Sequence, residues 1–186
     1  AVLVQDLGVA RLLRRTCPDL PLHASTQMTV HSLDGVRACA DLGMTRVVLS
    51  RELSADAIAD LCARSPVELE VFGHGALCMC YSGQCFLSAV LGGRSGNRGL
   101  CAQPCRMAYG FDGGKPAPWL SLKDLSLCTH LQELEQAGVA CVKIEGRMKR
   151  PEYVAAVTQV YRQAIDGAPV TQEMMDTLYT AFNRQG

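Results

Sequence analysis

The sequence predicts an α/β protein of parallel strand–helix units, the architecture of a TIM-like (β/α) barrel. Three observations predict it. Short β-rich runs alternate with helical patterns along the chain, and six such units can be counted, where a complete barrel has eight. No glycine-rich dinucleotide turn follows the first strand, which argues against a doubly wound sheet. The chain opens in a strand at "AVLVQDLG" and stops at "TAFNRQG" without a terminator. The expectation is a single partial barrel domain over residues 1–186 that lacks its first two βα units.

Taken in order, "VLVQD" reads as a strand, and "GVARLLRRTCP" has helical spacing and ends at Pro18. "LPLHAS" is the next strand, and "VHSLDGVRACADLG" is a helix closed by Gly43. "TRVVLS" is a strand, followed by the helix "SADAIADLCARS" with Ser54 as its N-cap. "VELEVFGHG" is a strand, and a cysteine-rich insertion over residues 74–118 follows it. Beyond it come a short strand at "WLSL", a helix through "LKDLSLCTHLQELEQAG" and the strand "VACVKIEG". "RPEYVAAVTQVYRQAIDG" is an amphipathic helix with Pro151 in its first turn, and "TQEMMDTLYTAF" reads as one more helix.

The 186 residues are 48% apolar and carry no net charge. That composition excludes a disordered chain, and bulk charge points to no partner, so any nucleic-acid contact needs a local patch. No apolar run is long enough to span a bilayer and no signal peptide opens the chain, so a cytoplasmic protein without a membrane partner is expected. Of ten cysteines, Cys17, Cys39 and Cys62 are scattered and read as small buried apolar residues.

A barrel gathers its polar residues at the carboxyl ends of its strands. His23, Gln27, Arg51, His74, Lys143, Glu145 and Arg147 all sit there by sequence. Lys143 and Glu145 alternate with Val142 and Ile144, so the two share one face of their strand. His74, Lys143 and Glu145 are candidates for proton handling, and His23, Gln27, Arg51 and Arg147 for substrate binding. Glu70 is expected to be buried and structural.

"HGALCMCYSGQCFLSAVLGGRSGNRGLCAQPCR", His74 to Arg106, holds five cysteines. Cys78, Cys85, Cys101 and Cys105 form C-x6-C-x15-C-x3-C, wider than the two tight pairs of most zinc sites. An iron–sulfur cluster takes four thiolates and suits that width. Zinc and a redox disulfide stay open as readings of the spacing. Cys80 and Cys141 rank below these four. Arg94 and Arg98, with Arg106, Lys143, Arg147, Lys149 and Arg150, suggest a basic rim for RNA phosphates or a small di-acid.

These residues resemble a known family. "ELEVFGHGALCMCYSGQCFLS" is similar to the U32 peptidase signature E-x-F-x2-G-[SA]-hydrophobic-C-x4-G-x-C-x-hydrophobic-S. Glu70, Phe72, Gly75, Ala76, Leu77, Cys78, Gly83, Cys85, Leu87 and Ser88 occupy its fixed positions. "HASTQ", "RVVLSREL", "GNRGLCAQPCR" and "KIEGRMKRPEYV" resemble further family segments. The motifs lie nearest those of members that hydroxylate a cytidine of ribosomal RNA. The resemblance implies a TIM-like barrel and a [4Fe–4S] cluster on Cys78, Cys85, Cys101 and Cys105. It implies hydroxylation of a ribosomal or transfer RNA base with a prephenate-like hydroxyl donor. The family name implies a second reading, a collagenase-like peptidase, although no H-E-x-x-H or G-x-S-x-G motif is present. A non-catalytic metal-bearing module that binds RNA or protein is the third.

Overall fold

The computed structural model describes residues 1–147 and 149–181. The chain alternates from its start: strand β1 (Val2–Val4), helix α1 (Leu7–Thr16), β2 (Leu22–Ala24), α2 (Leu33–Asp41), β3 (Met44–Val48), α3 (Ala55–Arg64) and β4 (Glu68–Ala76). The first three helices begin at polar caps. Asp6 accepts from the Val9 amide at 2.8 Å, and Ser32 and Ser54 accept from Gly35 and Ala57. Each cap satisfies an amide that the first helical turn leaves without a partner. Gly43, at φ 78°, lets the chain turn from α2 into β3.

After β4 come a short helix α4 (Leu87–Gly92), strand β5 (Asp124–Ser126), α5 (Leu131–Gln136), β6 (Cys141–Ile144), α6 (Pro151–Ile165) and α7 (Gln172–Ala181). The expected last helix reached Phe182, which lies outside the described residues. The segment 118–137 differs from expectation. Its strand is Asp124–Ser126, and the helix is shortened to Leu131–Gln136 behind a 3-10 turn at Cys128–His130. The cause is visible in "DLSL", where apolar and polar residues alternate with period two and so suit a strand. Residues 74–76 of β4 extend past β3 and offer unpaired backbone, which β5 satisfies.

β1, β2, β3, β4 and β6 are parallel, and neighbours follow chain order with no reversal. A doubly wound sheet reverses its order at a switch point, so that alternative is excluded. Successive crossovers in one direction place the helices on one face. Among the described residues β1 pairs only with β2 and β6 only with β4, leaving both as sheet edges. β5 runs antiparallel to the end of β4. His74 pairs with Ser126 on one side and Ile144 on the other, so β5 continues the edge that β3 leaves.

One apolar cluster joins the sheet to α1, α2 and α3 through Ala10, Leu22, Val36, Val47, Leu61 and Leu69. A second joins α6 and α7 through Tyr153, Val157, Val160, Tyr161 and Leu178, and Val142 touches both. Cys39 is buried and Cys62 packs beside it in the first cluster, but Cys17 is exposed at the end of α1, against expectation. Glu70 is buried in the sheet between two cations: Lys143 Nζ lies 2.6 Å from one carboxylate oxygen and Arg46 Nη1 3.4 Å from the other. A carboxylate removed from water needs such partners.

Candidate functional site

The cysteine-rich excursion leaves the sheet at Ala76 and returns at Asp124, and those two residues pair directly in the ladder. Its first turn is docked on the ends of β2 and β3. Thr29 Oγ1 donates to Ser82 O at 2.7 Å, Gln84 Nε2 donates to Thr29 Oγ1 at 2.8 Å, and the Arg51 amide donates to Ser82 Oγ at 3.2 Å. Gln27 Nε2 reaches Gly96 O at 3.3 Å, and Asn97 Nδ2 reaches Gly83 O at 2.9 Å. Arg106 ties the two ends together, donating to Leu77 O, Leu122 O and Ser121 Oγ. These bonds fix a polar loop without a large core of its own.

Between the excursion and the strand ends lies a cavity of about 250 Å³. Cys78, Cys85, Cys101 and Cys105 all line it. Burial pushes the Cys105 thiol up; Arg106 opposes this, while Cys78, Cys101 and Cys85 act in the same direction as burial. Cys101 Sγ also accepts the Gln103 amide at 3.3 Å. Among the described residues no three potential ligands converge as tightly as a single ion demands. Four thiolates spread around a cavity fit a larger object, and a four-iron cluster takes one thiolate per iron.

Arg51, Glu145, Arg147, Gln27 and Lys149 contribute the strand-end lining. Arg51 Nη2 pairs with Glu145 Oε2 at 3.2 Å, and its guanidinium lies 3.9 Å from the centre of the Phe72 ring. Burial pulls the Arg51 pKa down, and Glu145, then Cys78, push it back up. Glu145 Oε1 accepts the Arg147 amide at 3.0 Å, and its backbone oxygen accepts from Tyr153 Oη at 3.1 Å. Glu145 is the one carboxylate among the described lining residues. Arg51 Nε and Gln27 Oε1 are buried with no hydrogen-bond partner in the protein, so the lining retains polar capacity for a ligand.

The strand-end candidates thus divide. Gln27, Arg51, Glu145 and Arg147 meet in the cavity with the four cysteines. Lys143 lies one layer deeper, bound to Glu70, and His23 sits opposite Arg46 in the register of β2 and β3. His74 is buried behind the cavity against Tyr161 and Tyr153. Arg94 and Arg98 are exposed on the excursion outside the lining. Cys80 neighbours Cys85 but does not line the cavity, and Cys141 neighbours Glu70. Sequence reasoning missed Asn97, Gln103, Tyr81 and the Phe72 face under Arg51. Only the position of Phe72 at the end of an alternating strand hinted at its place.

The model of "Peptidase family U32" matches residues 1–186. The chain is 41% identical over 172 residues to the Escherichia coli "23S rRNA 5-hydroxycytidine C2501 synthase", covering 89% of this chain and 26% of that protein. It is 38% identical to Bacillus subtilis "tRNA hydroxylation protein P1", over 89% of this chain and 42% of the relative. It is 35% identical to a Porphyromonas gingivalis "Collagenase", over 99% of this chain and 50% of the relative. The chain therefore spans from about a quarter to about half the length of these curated relatives. Signature, fold and match over the full length agree that this chain belongs to peptidase family U32.

Proposed function

We propose that this chain carries the metal and donor site of an enzyme that hydroxylates RNA bases. The observation that carries the reading is the cavity itself, lined by four cysteines together with the Arg51–Glu145 pair and Arg147. Cys78, Cys85, Cys101 and Cys105 are the ligands of a [4Fe–4S] cluster, which supplies single-electron chemistry when bound. Arg51 and Arg147 present guanidinium donors suited to the carboxylates of a prephenate-like hydroxyl donor. Glu145 orients Arg51 and is the carboxylate of the lining placed to accept a proton. Ribosomal or transfer RNA is the substrate class, supported by the printed names of two of the relatives above. In the whole protein the sequential sheet forms part of a TIM-like barrel, the form that unreversed strand order suits. Such an enzyme works in the cytoplasm, and no helix among the described residues is long and apolar enough to cross a membrane.

A peptidase reading has less support in the geometry. Among the described residues no histidine lines the cavity. Ser88 is buried with its Oγ accepting the Ala102 amide, and its side chain has no hydrogen bond to a histidine or carboxylate among the described residues.

The test is anaerobic purification of the protein with iron and sulfide analysis, joined to mass spectrometry of RNA from a deletion strain. About four irons per chain are expected, with a broad visible absorption band lost in Cys78→Ala and Cys101→Ala. The deletion strain should lack one hydroxylated nucleoside. Stoichiometric zinc with unaltered RNA would overturn the proposal.

A further inference from the structure

We infer that the outer surface of the cysteine-rich excursion is a stacking platform for an unpaired RNA segment, with Tyr81, Phe111 and Trp119 as the base-stacking side chains. The inference rests on the RNA reading above and adds where, and in what form, the RNA is held.

Large aromatic side chains are rarely left in water without a reason when they gather in one region. Tyr81 is 71% exposed, Phe86 65%, Phe111 78% and Trp119 68%. All four fall between residues 81 and 119; of the other described aromatic rings Phe72, Tyr153 and Tyr161 are buried, Tyr109 is half-buried and Tyr179 on α7 is exposed. Tyr81 also lines the cavity, so one aromatic ring stands at its opening. Phe111 lies at the tip of a hairpin closed by Tyr109 and Ala117, and Trp119 follows that hairpin directly. The hairpin is fixed to the cavity wall at both ends. Tyr109 Oη donates to Pro104 O at 2.8 Å, and Ser121 and Leu122 accept from Arg106.

Charge selects the occupant. The chain is neutral overall, yet residues 77–123 contain Arg94, Arg98, Arg106, Lys115 and Lys123 against Asp112 alone. The segment that displays the aromatics therefore carries a net charge of +4, five cations less one acid, in a chain that is neutral overall. Arg94, Arg98, Lys115 and Lys123 are exposed, and Arg94 is anchored by Nε to Leu100 O at 2.9 Å. Aromatic faces interleaved with exposed cations match a single strand, whose bases stack while its phosphates find the cations. A duplex keeps its bases stacked inside and offers the aromatics nothing. The platform thus takes a loop, bulge or strand end, and leads an unstacked base to the ring of Tyr81 and the cavity beyond.

The experiment measures binding of a fluorescein-labelled, unstructured twelve-nucleotide RNA and of the same sequence as a duplex, by anisotropy across a salt series. The purified protein, Phe111→Ala/Trp119→Ala, Trp119→Phe and Arg94→Ser/Arg98→Ser are compared, each checked for unchanged far-UV dichroism. The single strand is expected to bind well above the duplex. The double aromatic variant should lose roughly tenfold or more for each ring removed without changing the salt slope, and Trp119→Phe should keep most of the affinity. The double arginine variant should reduce the salt slope by about 1.4, the value for two phosphate contacts on a single strand. Equal binding of strand and duplex, aromatic variants that bind like wild type, or a loss seen only with anionic lipid vesicles would each overturn the platform. Complementing the deletion strain separates the two claims. If hydroxylation is absent from that strain and the aromatic variant restores it fully, the platform fails and the enzyme reading stands. If the deletion leaves RNA unaltered, the enzyme reading fails and the binding data alone decide the platform.

Discussion

His74 is held neutral by its surroundings. Tyr161 Oη donates to Gly73 O at 2.7 Å and accepts the Leu127 amide at 3.1 Å. The hydroxyl proton is thereby committed, so His74 Nδ1, 3.3 Å away, must be the donor to Tyr161. Burial pulls the His74 pKa down to about 4, with Asp124 opposing and Lys149 assisting. In the unfolded chain the imidazole titrates near its ordinary value, about 6.5. Protons are therefore taken up on unfolding between these values, and stability is full above pH 6.5 and falls as pH drops toward 4. The loss should reach at most about 3 kcal/mol, roughly 6–12 °C in melting temperature for a chain of this size. Melting curves of wild type and His74→Gln from pH 7 to 4.5 check this: the variant should show a shallower decline. Parallel declines would assign the acid sensitivity to other groups. At this scale the sequence made Glu145 and His74 equivalent, since both are polar residues at strand ends. What separated them was the depth at which α6 sets Tyr153 and Tyr161 against His74, a long-range contact with no local signature.

β4 organises the site because it is paired along both edges and its last residues feed the excursion. Two glycines show how tightly the parts meet. Gly83 has φ 78°, and a Cβ there would lie 2.5 Å from Gln27 O at the end of β2. Gly93 has φ 64° but open space around it. Both positions carry the backbone cost of a side chain in the left-handed region, about 1 kcal/mol. Only Gly83→Ala also drives the excursion off the strand end. It should cost at least about twice as much as Gly93→Ala in urea unfolding, and should speed the reaction of Cys85 with a thiol reagent. Equal effects would mean that the excursion does not rest on β2. Most elements were legible because caps and period stood in the sequence: Ser54 before α3, Pro151 opening α6, and the apolar run of β4. β5 was not, because its strand character depends on the free end of β4 beyond β3, a partner fifty residues away by register.

On the scale of the molecule, stability is unevenly spread. β2, β3 and β4 lie inside the sheet over the larger apolar cluster. α7 packs on α6 and buries Leu178 as its one fully covered residue. Hydrogen exchange should therefore find α7 amides opening at least about tenfold faster than those of β2 to β4. Uniform protection would show a single cooperative unit. The parallel α/β class could be read from the alternation of patterns, whereas the cavity could not, because its walls come from segments far apart in the chain. Gln27 and Glu145 are brought together by strand order, which the pattern of apolar residues does not encode. The pairing of Ala76 with Asp124 has its own consequence. The four cavity cysteines are strung between the two partners of one rung of the ladder, so beyond the seat of Ser82 and Gly83 on Thr29, Arg51 and Gln27 the sheet feels only that the loop is closed. Closure entropy rises slowly with loop length, by about 0.6 kcal/mol per doubling. Variants of this frame can therefore lengthen or shorten the stretch between its docked turns as a cassette, altering the spacing of the cysteines while the scaffold keeps its register.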